Sequence, residues 1–179
     1  MPEPFHVLAT QNPIEHEGAY PLPEAQLDRF LLQIDVPYPD AEIERRILIE
    51  TTGLGEDEPQ AVLDAAQLMR LQQVVRRMPV GEKVLASILE LVRSARPGAS
   101  HDARVNQHVA WGPGPRAGQA LMLAVRARAL LRGRLAPSID DVVALARPAL
   151  VHRMQLSFGA RAEGLDIDGL VDDLAENAA

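Results

Sequence analysis

The sequence predicts an α/β segment followed by an all-helical domain, and three observations carry that expectation. Two short apolar runs near the amino end, Phe5–Thr10 and Phe30–Val36, are each closed by prolines and have the length of buried strands. From Ala65 onward, apolar residues instead recur at helical spacing. Between the two textures lies Gly55-Glu56-Asp57-Glu58-Pro59, acidic and irregular, which reads as a linker. The expected division is therefore an α/β part over 1–53, a linker over 54–62 and a helical domain over 63–179.

In chain order, the first strand stops at Gln11-Asn12-Pro13, and a loop runs through Gly18 to the Pro21-Leu22-Pro23 turn. Glu24 to Arg29 reads as a short helix, with an acid in its first turn and a cation in its last, as the helix dipole favours. The second strand ends at Pro37 and Pro39. Asp40 is then a natural N-cap for a helix from Ala41 to about Thr52, with Ile43, Ile47 and Leu48 on one face. Two strands cannot form a covered parallel sheet, so this segment is expected to be the end of a larger α/β core.

The helical part opens with Ala65 to Arg77, then Glu82 to Arg96, where Val84, Leu85, Ile88, Leu91, Val92 and Ala95 make an apolar stripe. A long polar loop is expected from Arg96 to Gly114. The next helix, from Pro115 or Arg116 to Leu131, is apolar on nearly all sides and should sit centrally in a bundle. Gly133 ends it as the residue past the C-cap. Ser138 with Asp141 marks another helix start, and a last helix is expected around Asp168 to Asn177.

Composition excludes several function classes. The 179 residues include 47% hydrophobic residues, enough for a core, and no apolar run approaches the ~20 residues of a membrane-spanning helix. With no cysteine there is no disulfide framework and no thiolate zinc site. Lys+Arg 18 against Asp+Glu 25 leaves a net charge of −7, and aromatics are 3%, so nucleic acid is not an expected partner. No signal-peptide pattern opens the chain, and the cytoplasm is the expected compartment. Lys83 is the only lysine, so any mechanism requiring one has a single candidate.

The segments Ala9-Thr10-Gln11-Asn12-Pro13-Ile14-Glu15 and Gly18-Ala19-Tyr20-Pro21-Leu22-Pro23-Glu24-Ala25-Gln26-Leu27-Asp28-Arg29-Phe30 resemble the MoxR family of AAA+ ATPases. The resemblance continues through Tyr38-Pro39, Leu91-Val92-Arg93, Gly114-Pro115-Arg116-Ala117, Pro137-Ser138-Ile139-Asp140-Asp141-Val142 and Leu150-Val151-His152-Arg153. It implies that the chain holds the end of an AAA+ P-loop core, with its parallel sheet, followed by an all-α lid. Asn12 then matches the sensor 1 residue that orients the attacking water. Arg29 matches the arginine finger given to a neighbouring subunit's nucleotide, and Arg116 the nucleotide-binding sensor 2 arginine of the lid. These residue types suit phosphoryl transfer, where catalysis is largely positioning and stabilisation of spreading negative charge. A guanidinium offers a fixed fork of donors and keeps its proton.

The resemblance further implies ATP and Mg2+ as cofactors, a ring of subunits (a hexamer in the intact protein), and chaperone-like remodelling or cofactor loading of client proteins. Proteins with a von Willebrand factor A domain are the implied partners. A phosphate loop needs G-x-x-x-x-G-K-[ST], and Lys83 stands between Glu82 and Val84. No apolar strand ends in Asp-Glu to hold Mg2+. Both elements lie upstream in the family, so the chain is expected to be a carboxy-terminal portion that does not hydrolyse ATP alone.

Other readings compete at each position. Asn12 before Pro13 also suits a plain turn, and Arg29 a helix-dipole or surface ion pair. Arg116 at a helix start is electrostatically disfavoured unless an anion binds there. Glu15-His16-Glu17 reads as a solvated loop rather than a metal site. A non-catalytic helical interaction module is the alternative for the chain as a whole.

Overall fold

In a computed structural model, residues 3–11, 22–53 and 60–179 are described. A single helical turn, α1 (Glu24–Leu27), comes first; it has no side-chain cap, buries no residue, and stops short of the expected Arg29. Helix α2 (Ala41–Thr51) starts where expected, with the Asp40 carboxylate accepting from the Ile43 amide at 2.8 Å. Its apolar residues Ile43, Ile47 and Leu48 remain exposed among the described residues. Helix α3 (Ala65–Arg77) opens on a reciprocal capping box between Asp64 and Gln67.

Helix α4 (Glu82–Ser94) buries Val84, Ile88, Leu91 and Val92 on one face. The segment expected as a long loop contains helix α5 (Ala103–His108) and strand β1 (Val109–Trp111). Side chains hold this turn together: Asp102 caps the Arg104 amide at 2.8 Å, and Asn106 bonds the Gly98 amide and the Ser100 carbonyl. Such bonds leave no periodic trace in a sequence. Helix α6 (Pro115–Leu131) follows, ended by Gly133 at φ +70°.

Helix α7 (Ile139–Leu150) begins at the expected Ser138–Asp141 capping box and runs into a 3-10 turn, Val151–Arg153. Strand β2 (Gln155–Leu156), helix α8 (Phe158–Ala162) and helix α9 (Ile167–Asn177) complete the chain. Helix α6 packs against α7, α4 and α3, and α7 packs against α9 and α4. The central place expected of α6 is observed: Ala117, Leu121, Val125 and Ala129 are fully buried. Around them stand Ile88, Leu91, Val142, Leu150 and Val171, each no more than 1% exposed. Burying one side chain of this size is worth roughly 1.5–3 kcal/mol.

The expected parallel sheet is absent from the described residues. Phe5–Thr10 and Phe30–Val36 carry no strand pairing, and the sheet that is present is the antiparallel β1–β2 pair. A strand is a relation between two backbones, and neither run meets a second ladder here. Leu8 and Val36 are 97% and 88% exposed, against the burial that both runs suggest. Most of the expected linker, residues 54–59, lies outside the described residues.

Candidate functional site

Arg116 occupies the second position of α6, directly after Pro115, whose fixed φ suits a first helical residue. Its place is set from behind. Pro113 is fully buried, and the Arg96 Nε donates to the Pro113 carbonyl at 2.7 Å. Gly114 caps α6 with no side-chain oxygen, and no acid lies in the first turn, so no carboxylate of α6 itself offsets the Arg116 guanidinium at the positive end of the helix.

One carboxylate meets that guanidinium: Asp28 Oδ2 lies 3.6 Å from the Arg116 terminal nitrogen. Asp28 is the C-cap of α1 and the residue before Arg29. Its other oxygen, Oδ1, accepts from Arg153 Nε at 3.1 Å. Arg153 is only 4% exposed and spends its remaining donors on main-chain carbonyls. They are those of Asp28 at 3.2 Å, Leu31 at 3.3 Å, Phe30, and Ala149 on α7. Burial lowers the Arg153 pKa, and the Asp28 carboxylate opposes that shift.

Two further bonds close the seam. His152 Nε2 lies 3.2 Å from the Phe30 carbonyl, and the Gln33 amide donates to the Pro148 carbonyl at 2.8 Å. Burial, and then the Arg153 charge, lower the His152 pKa below its ordinary 6.5, and since a carbonyl can only accept, Nε2–H is the donor to Phe30. Residues 28–33 are thereby stitched to the carboxyl end of α7.

Of the three residues expected to handle nucleotide, two lie among the described residues. Arg29 is exposed on the turn after α1, and Arg116 reaches the carboxylate of the residue beside it. Asn12 lies outside the described residues. The sequence alone assigns no role to Asp28, His152 or Arg153, although all three lie in the family-like segments ending at Phe30 and Arg153. The available signal was a His-Arg pair closing the apolar stripe of α7, where a cation must be paired or exposed. Among the described residues no cluster of three or more His, Asp or Glu could hold a metal ion.

Residues 1–32 match the family described as ATPase family associated with various cellular activities (AAA), and residues 101–174 match the AAA lid domain. The chain is 38% identical to the chaperone MoxR1 of Mycobacterium tuberculosis over 182 residues, covering 100% of this chain and 48% of that protein. It is 33% identical to the protein MoxR of Paracoccus denitrificans, covering 94% of this chain and 53% of that one. The crystal structure of a Cytophaga hutchinsonii protein described as an ATPase superposes with a TM-score of 0.91 at 29% identity, over 98% of this chain and 54% of that one. Fold and matches together define an AAA+ chain with a helical lid. Within that class it is a MoxR-family sequence, spanning about half the length of the relatives it matches.

Proposed function

We propose that this chain is the finger-and-lid part of a MoxR-type ATPase whose intact form binds and hydrolyses ATP with Mg2+ in a ring of subunits. The observation that supports the reading is that Arg116 lies 3.6 Å from the carboxylate of Asp28, the residue directly before the exposed Arg29, so the lid arginine and the finger turn are neighbours. A neighbouring subunit's terminal phosphate is the natural recipient of both, since the finger serves a site across a boundary and Arg116 accompanies it. Asn12 is the sensor that orients the attacking water in the chain's own site. Residues 1–53 form the end of the core, 54–62 the linker and 63–179 the lid.

The phosphate loop and the Mg2+ ligands come from residues outside this chain, so it does not turn over ATP alone. The relative MoxR1 is named a chaperone, and the family resemblance extends that to remodelling or cofactor loading of client proteins in the cytoplasm, with von Willebrand factor A domain proteins as partners. The interaction-module alternative is not favoured, because the AAA match reaches into residues 1–32.

The test is ATP turnover by the full-length natural protein with and without Arg29→Ala. A finger supplies about 10³–10⁵ in rate in other nucleotide hydrolases, so turnover should collapse while ATP affinity stays. Lost affinity with normal residual turnover would rule the assignment out.

A further inference from the structure

We propose that Arg153 is a positioning residue for Arg29, holding the finger turn to the lid so that the two move as one body. The inference rests on the finger reading of Arg29 given above. Helix α1 cannot hold Arg29 in place: it is a four-residue turn with no buried side chain and no side-chain cap. What fixes the turn is the lid. Arg153 takes the Asp28 carboxylate and the carbonyls of Asp28, Phe30 and Leu31, and anchors itself on the Ala149 carbonyl of α7.

A buried guanidinium is costly unless its donors are used, and its planar fork admits few arrangements of acceptors. The peptides on either side of Arg29 are thus bound to one rigid group. The Arg29 side chain itself is left exposed. His152 and Gln33 extend the same seam, through the Phe30 and Pro148 carbonyls. A backbone held from the lid with an exposed cation between the held peptides is suited to presentation. A displacement of α7 would carry Arg29 with it, and Arg116 lies on the same lid.

The experiment compares Arg29→Ala, Asp28→Asn, Arg153→Gln and the double variant Arg29→Ala/Asp28→Asn in the full-length natural protein, reading kcat, KM for ATP and amide exchange without nucleotide. Misplacement of a catalytic group by about 1 Å can cost roughly 10²-fold. Arg153→Gln should lower kcat by about that factor and Asp28→Asn by about tenfold, with KM for ATP unchanged. Asp28→Asn preserves shape at a side chain that is 23% exposed, so it reports even where Arg153→Gln fails to fold. The double variant should be no slower than Arg29→Ala, because a positioning effect vanishes with the residue positioned. The Gln33 amide should exchange faster in both seam variants.

If Arg29→Ala abolishes turnover while Asp28→Asn keeps full kcat, the positioning role is overturned and the finger stands. Losses that multiply in the double variant overturn it as well, as does unchanged exchange at Gln33. If Arg29→Ala costs nothing, the finger reading fails first and the positioning role falls with it.

Discussion

Gly112 lies against the end of α4 so closely that a Cβ added to it would sit 2.7 Å from the Ala95 carbonyl and 2.9 Å from the Arg96 Cα. Both neighbours are main chain, so neither can swing aside. The contact sets the approach to Pro113 and Pro115, and through them the position of Arg116.

Gly112→Ala should therefore lower stability by roughly 1–3 kcal/mol, the usual cost of overpacking. Gly118→Ala is the matched control. It sits inside α6 with nothing within 4 Å of an added Cβ, and should stabilise by about 0.5–1 kcal/mol. Urea denaturation of both variants reads the two signs. Equal effects would show that the close approach at Gly112 relaxes.

Asp141 makes a second testable centre. Its side chain is 1% exposed and accepts from the Ser138 amide at 2.8 Å and from Arg134 at 2.5 Å. Arg128 Nε lies 3.3 Å from the same oxygen as Arg134 but outside hydrogen-bond alignment, which leaves that nitrogen without a bond. Burial pushes the carboxyl up, yet the Arg134 and Ser138 bonds outweigh it and hold the pKa below its ordinary 3.8. The stabilisation is thus fully present above pH 3.8 and is lost as pH falls through the lower folded value. Asp141→Ala should cost about 2 kcal/mol at neutral pH, a lost cap plus a stranded guanidinium. The gap between variant and parent should close in acid.

Local signals made many of the helix ends legible. The Ser138–Asp141 box, the Asp40 cap and Gly133 all act over three or four residues, which is the range that periodicity and capping rules read. What escaped reading is long in range or short in extent. Strand β2 pairs with β1 across more than forty positions of sequence, and each strand is three residues or fewer. The Asp28–Arg153 bond spans 125 positions, and nothing near either residue announces the other. At the candidate site, the family motif named Arg29 and Arg116, but only the fold brings Arg116 to the carboxylate of Asp28, the residue before Arg29. The two apolar runs read as strands because their composition suits burial, and composition carries no information about which backbone would lie alongside.

His152 supplies the last prediction. Its Nε2–H donates to the Phe30 carbonyl, and Nδ1 is buried without a partner. Protonation would place a second, unbonded N–H beside the Arg153 guanidinium, in a site where burial already disfavours charge. The Phe30 carbonyl and the Asp28 carboxylate favour the charged form, but not enough: the folded pKa lies below the ordinary 6.5. An unfolded chain then binds more protons than the folded one as pH drops below 6.5, so the stability present above that value is lost on acidification. His152→Gln keeps a donor for Phe30 and removes the titration. The parent protein should lose stability to urea between pH 7.5 and 5, and the Gln variant should lose clearly less over the same interval. Parallel losses in the two proteins would place the acid sensitivity elsewhere and leave the seam between Phe30 and α7 indifferent to pH.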